Sequence, residues 1–190
     1  IDGTDLRDID VDEWRDGMAG GFQDFAQFEF VASESVGVGH LERLGDIDAV
    51  VAALGRAHAQ DLPGTLQNGL GTQLGRSFED GSELSVGQWQ KVALGRAMMR
   101  ERPRVLVLDE PTAAIDAPTE HALFERFAQA ATRTAGITVF VSHRFSTVRM
   151  ADIIVVVEGG RVTEVGSHAE LMAKDGTYAE LYELQASAYR

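Results

Sequence analysis

Residues 105–111 read VLVLDEP: four continuous apolar residues closed by two carboxylates and a proline. An unbroken apolar run of this kind predicts a strand buried on both faces, as in the middle of a parallel sheet. Two adjacent carboxylates at the end of such a strand are costly to desolvate unless they serve a metal ion or a proton. Asp109 could hold Mg2+, while Glu110, pointing elsewhere, could polarise a water. A strand end that simply meets solvent would carry the same two residues, so the pair alone leaves both readings open.

Upstream of this strand, residues 87–101 carry Val92, Leu94, Ala97 and Met98 at helical positions, with Pro103 as the stop. Residues 46–57 place Ile47, Val50, Val51 and Leu54 at helical spacing behind Asp46, a good N-cap. Between them, residues 61–83 are rich in Gly, Asp, Ser and Asn and read mostly as loop. The run 21–31, GFQDFAQFEFV, reads as a strand with its exit loop, and Phe22, Phe25, Phe28 and Phe30 read as core.

Downstream, residues 116–134 predict a helix with Leu123, Phe124 and Phe127 inward, and residues 137–143, ITVFVSH, an apolar strand with a polar end. IIVVV at 153–157 predicts another strand, turned by Gly159-Gly160 into an edge strand over 161–165, and the tail reads as two short helices. Strands alternating with helices predict an α/β domain with a mainly parallel sheet. Functional groups in such sheets gather at the carboxyl ends of the strands, where Asp109, Glu110 and His143 stand.

Composition narrows the function. The 190 residues are enough for one medium domain with a real core, and the absence of cysteine excludes disulfides, a cysteine nucleophile and thiolate metal sites. A net charge of −13 argues against nucleic acid as a partner, because nothing would neutralise its phosphates. The acid is unevenly spread: residues 1–60 carry 13 acidic and 4 basic side chains, whereas residues 61–150 carry ten of each, so the middle can host an anion that the flanks would repel. No apolar run approaches the roughly 18 residues that span a bilayer. The opening IDGTDLRDID has no apolar stretch of the secretory type, and a start at Ile1 leads us to expect a piece of a longer protein.

LSVGQ, residues 84–88, leads into the helix at 87–101, and free N–H groups at a helix N-terminus suit a phosphate. An ordinary N-cap, with Ser85 capping and Gly87 easing the turn, explains the same residues. Order and spacing then decide: LSVGQWQ, VLVLDEPTAAID and FVSH, in this sequence, closely resemble the nucleotide-binding domain of ATP-binding cassette (ABC) transporters. Residues 84–88 match the ABC signature, 105–110 the Walker B strand with its glutamate, and 113–116 the D-loop. His143 falls on the switch histidine and Gln23, in FQDF, on the Q-loop glutamine. The opening and the tail, GSHAELMAKDGTYAELYELQ, resemble exporter-type domains, so the resemblance covers nearly the whole chain.

The resemblance implies a P-loop NTPase (RecA-like) α/β fold with a helical subdomain at about residues 33–100, truncated at its N-terminus. It implies ATP and Mg2+ as ligands, with Asp109 holding Mg2+ through water and Glu110 as general base on the attacking water. His143 would bond the γ-phosphate and keep Glu110 and the water in line. Gln23 would sense Mg2+ and the water, and its loop would receive the coupling helix of a transmembrane domain. Ser85, Gly87 and Gln88 would contact the γ-phosphate of a nucleotide on a second nucleotide-binding domain, and Asp116 would lie across that dimer interface. The location implied is the cytoplasmic face of the plasma membrane, through the parent's membrane domain. Each residue also has a plainer reading: Gln23 a surface glutamine, His143 a satisfied strand-end histidine, Asp116 a helix N-cap.

Two departures from the family pattern stand out. The Walker A motif GxxxxGK[ST] is missing, and neither of the two lysines, Lys91 and Lys174, lies in such a setting. The expectation is a domain cut ahead of Ile1, with an exposed sheet flank. In addition, Val86 stands where the signature usually has glycine, and a β-branched side chain there would resist φ > 0 and add bulk. The enzymatic reading is an ATPase powering an exporter. The alternatives are a non-catalytic piece that only pairs with a partner domain, or a soluble ABC ATPase. DNA-repair members of that last class insert a long coiled coil, for which the stretch from Gln23 to Leu84 is too short.

Overall fold

Met18–Gly21 (β1), Val105–Asp109 (β2) and Ile137–Val141 (β3) form a parallel sheet in the order β1-β2-β3. This is a computed structural model, and it describes residues 3–111, Phe124 and residues 136–188. The chain divides into two compact units, Ile1–Val141 and Ser142–Arg190.

In the first unit the helices are Val11–Asp16 (α1), Ala32–Gly37 (α2), Ile47–Arg56 (α3), Leu62–Thr65 (α4) and Val86–Ala97 (α5). Asp46 caps α3, accepting from the Ala49 N–H at 2.9 Å. That bond and the Arg43 guanidinium hold its carboxyl below the usual carboxylate range. Arg43 also reaches Glu101 at 2.8 Å, tying the start of α3 to the segment after α5. Residues between α4 and α5 are mostly loop, as the sequence predicts, with a 3-10 turn at Gly69–Gly71.

The core joins α2, α3 and α5 to one face of the sheet through Val36, Val50, Leu54, Val92, Leu94, Leu106 and Leu108. Close approach depends on small residues. A Cβ on Gly95 would meet Leu54 Cδ2 at 2.8 Å, and one on Gly21 would meet Leu108 at 3.2 Å and Ala97 at 3.4 Å. Two expectations are corrected here. The strand near residue 20 is Met18–Gly21, and residues 22–30 are not strand at all. Of the four phenylalanines, Phe25 packs against the core, whereas Phe22, Phe28 and Phe30 are exposed. The MAGG strand is held by its pairing with β2, Met18 beside Val105 through Gly21 beside Leu108, which overrides its weak local propensity.

β2, which the sequence predicts to be buried on both faces, buries only one face completely. Leu106 and Leu108 are buried, while Val105, Val107 and Asp109 on the other face are half-buried. In register with these lie Ile137, Val139 and Val141 of β3, which are 62%, 43% and 51% exposed. An apolar row of this kind on a sheet face drives association. The 190-residue chain is therefore expected to self-associate, with light scattering rising with concentration and Val139→Thr reducing it. A monodisperse monomer at high concentration would contradict this. Of the helix expected over 116–134, only Phe124 is described; it is buried and meets Phe140 edge-on at 4.6 Å.

The second unit contains Phe145–Val148 (α6), Ile154–Glu158 (β4), Arg161–Gly166 (β5), His168–Lys174 (α7) and Thr177–Ala188 (α8). β4 and β5 are antiparallel, joined by Gly159 at φ +56° and Gly160 at φ +73°, the left-handed pair that a two-residue hairpin turn requires. Ser167 and Glu170 form a capping box at α7. Ile154, Leu171 and Tyr178 centre a small core. Among the described residues no helix is long and apolar enough to cross a membrane.

Candidate functional site

Asp109 is the last residue of β2, half-buried at the carboxyl end of the central strand. Glu110 follows with φ +42°, a left-handed conformation unusual for a residue with a Cβ. It also precedes Pro111, whose ring favours an extended backbone in the residue before it. Strain of this kind costs about 1–3 kcal/mol and persists only where the surroundings over-determine it. Here two anchors do so. The Glu110 N–H donates to the Val141 carbonyl of β3 at 2.9 Å, and Gln90 of α5 donates from Nε2 to the Pro111 carbonyl at 2.9 Å.

A shallow cleft opens beside this turn. Gly21, Phe22 and Phe25 line it from the end of β1 and the loop beyond, Gln90, Ala93 and Leu94 from α5, and Pro111 from the turn itself. Gln23 lies in that loop between Phe22 and Phe25, and its side chain is exposed. The end of β1, the end of β2 and the flank of α5 thus meet at one place in the first unit.

The LSVGQ segment is the N-terminus of α5. Ser85 is the N-cap: its hydroxyl accepts from the Gln88 N–H at 3.3 Å, and Gln88 Oε1 accepts from the Ser85 N–H at 2.9 Å. Gln88 Nε2 donates to Thr65 Oγ1 at 3.0 Å, so both ends of this amide are engaged, and reaching a phosphate would mean releasing Thr65. Gly87 has open space where a Cβ would stand. Val86 is the first helical residue, outside the positive-φ positions, and 71% exposed. The expected backbone conflict at Val86 is therefore absent, because the residue adopts ordinary helical geometry; only its bulk remains at the helix start.

His143 belongs to the second unit, exposed, with its carbonyl accepting from Gln185 Nε2 at 2.8 Å. Asp116 lies outside the described residues. Among the described residues no cluster of three or more metal-ligating side chains is present. Asp109 is a half-buried carboxylate, a donor type that could hold a hard cation which keeps most of its waters.

Two polar side chains that the sequence reading passes over organise this region. Gln90 is 8% exposed, on the same stripe of α5 as Ala93, Leu94 and Ala97, and a polar residue on an otherwise apolar stripe is the signal that could have found it. Arg96 donates from Nε to the Ser35 carbonyl at 2.9 Å and from Nη1 to the Ala26 carbonyl at 3.1 Å, with its guanidinium 4.4 Å from the centre of the Phe28 ring. Burial pushes its pKa down to about 10, so it remains charged at neutral pH. Arg96→Met keeps the stem but leaves the carbonyl of buried Ser35 without its donor, an expected loss of about 2 kcal/mol. That corresponds to a fall of roughly 6 °C in Tm by thermal melting, and an unchanged Tm would show that the guanidinium makes no net contribution.

Comparison with known proteins identifies the family. A family model described as ABC transporter matches residues 1–113. The ATP-dependent lipid A-core flippase of Thiobacillus denitrificans is 39% identical over 190 residues, covering 98% of this chain and 31% of the flippase. The subtilin transport ATP-binding protein SpaT of Bacillus subtilis is 34% identical over 183 residues, covering 96% of this chain and 29% of that protein. The solved structure of a bacterial Atm1-family ABC exporter with ATP bound superposes with a TM-score of 0.83 at 32% identity, over 98% of this chain and 31% of the exporter chain. The chain therefore spans about a third of the length of these relatives. With its mixed α/β fold around a parallel sheet, it belongs to the ABC transporter family, as an ATP-binding domain of the exporter type.

Proposed function

We propose that this chain is the ATP-hydrolysing part of a membrane exporter, working at the cytoplasmic face of the plasma membrane through a transmembrane domain of the same protein. The observation that carries the reading is the strained Glu110, held at φ +42° by β3 and α5 directly after the half-buried Asp109. Energetically unfavourable backbone of this kind clusters at functional sites.

In this reading the Glu110 carboxylate takes a proton from the water whose oxygen bonds to the γ-phosphorus of ATP, while the bond from that phosphorus to the β,γ-bridging oxygen breaks and ADP leaves. His143 donates to the γ-phosphate and holds the water in line, and Gln23, from the loop past β1, orients the same water. Asp109 would hold Mg2+, which when bound neutralises charge on the phosphate oxygens. Ser85, Gly87 and Gln88 at the start of α5 would meet the γ-phosphate held by a second ABC domain, with Asp116 across that interface. The open space at Gly87 leaves room for such an approach. Residues 33–100 would form the helical subdomain that presents this surface, and the Gln23 loop would receive the coupling helix. ATP turnover by the complete transporter, compared between wild type and Glu110→Gln, tests the proposal.

A second reading rests on one observation: these 190 residues contain no GxxxxGK[ST]. By itself the chain would then act as a non-catalytic pairing partner for another ABC domain. ATP binding by the isolated chain separates the two.

A further inference from the structure

We propose that Gln90 is a positioning residue for Glu110, fixing the catalytic turn to the signature helix. This rests on the proposed role of Glu110 as general base. Among the described residues, two main-chain groups of the Glu110–Pro111 turn have partners on different elements: the Glu110 N–H on β3 and the Pro111 carbonyl on α5. Proline supplies no N–H, so within Pro111 the carbonyl is the one main-chain group that can form a hydrogen bond. Gln90 donates to that carbonyl from a buried position, where the bond is shielded from competing water.

The consequence is directional. Gln90 lies five residues beyond Ser85 on the same helix, so a shift of the α5 N-terminus is passed by a rigid helix to the carbonyl next to Glu110. A left-handed glutamate before proline would relax toward extended backbone if that bond were lost, and its carboxylate would swing away from the attacking water. The side chain of Gln90 thus acts through Glu110 and has no need to touch nucleotide. Arg96, six residues further along, holds the Ala26 carbonyl in the loop of Gln23, so the same helix also carries the second water-orienting element.

The test uses the complete transporter. Gln90→Met keeps length and volume but removes the amide donor. It is expected to raise hydrogen exchange at the Glu110 amide about tenfold and to lower kcat by about tenfold to a hundredfold, leaving KM for ATP within about twofold. Gln90→Asn, one methylene too short to reach Pro111, is expected to behave alike and serves if the methionine variant does not fold. Unchanged exchange, or faster exchange with wild-type kcat, overturns the proposal. A joint fall in Tm and rise in KM alongside kcat also overturns it, since that marks Gln90 as ordinary core. Glu110→Gln is measured in parallel: if it retains wild-type turnover, the role of Glu110 as base fails, while the exchange data still decide whether Gln90 holds the turn.

Discussion

Glu110→Gln in the complete transporter is expected to lower ATP turnover by about 10²–10⁴-fold while leaving ATP binding intact. The substitution exchanges one oxygen for an NH2 group and leaves the backbone determinants of the turn untouched. The Glu110 N–H still meets Val141, and the Pro111 carbonyl still meets Gln90. What disappears is the carboxylate that accepts a proton, because an amide is not basic near neutral pH. The nucleotide keeps its contacts with other residues, so its Kd should stay within about twofold, and only the chemical step should slow. Steady-state phosphate release and equilibrium ATP binding on the same preparation separate the two effects. Turnover within a factor of about three of wild type would remove Glu110 from the mechanism. A matching loss of ATP affinity would instead mean that the carboxylate organises the ground state.

Parts of the fold and of the site were legible because local chemistry and tertiary context agree. The run Val105–Asp109, the cap Asp46 before α3, the left-handed Gly159-Gly160 turn and the capped start of α5 each follow from side chains within a few residues. The failures lie where distant partners decide. The phenylalanines of residues 22–30 look like a strand, yet the strand is Met18–Gly21, whose glycines let Leu108 and Ala97 approach. Phe28 stays near the surface, stacked with Phe30 at 5.6 Å and covered on one side by Arg96, a residue 68 positions away. A residue before proline favours extended backbone, yet Glu110 is left-handed, in a turn bonded to Val141 of β3 and Gln90 of α5, and neither partner is local. Val86 shows the reverse case: a family pattern with glycine suggests a special backbone, whereas the residue sits in ordinary helical geometry.

The 190-residue chain, titrated calorimetrically with ATP and Mg2+, is expected to bind with Kd above about 1 mM, a binding free energy weaker than about 4.1 kcal/mol. A triphosphate needs a cradle of backbone N–H groups and a lysine at its β- and γ-phosphates, and no segment of this sequence has the GxxxxGK[ST] pattern that builds one. Neither lysine can substitute from another place. Lys91 is paired with Asp61, and Lys174 donates to the Val165 carbonyl at 3.2 Å. The overall charge of −13 adds a long-range repulsion that salt would only partly screen. The N–H groups at the start of α5 offer one γ-phosphate a partial positive charge, but Ser85 and Gln88 already cap part of that terminus. Adding a second ABC domain with an intact Walker A motif should reverse the outcome, because the nucleotide would then be bound by its partner and only completed by this chain's signature. A micromolar Kd for the chain alone, about 8 kcal/mol, would mean that other residues here form a phosphate site. Weak binding alone with strong binding in the mixture is the pattern expected of a domain that contributes one half of a shared site.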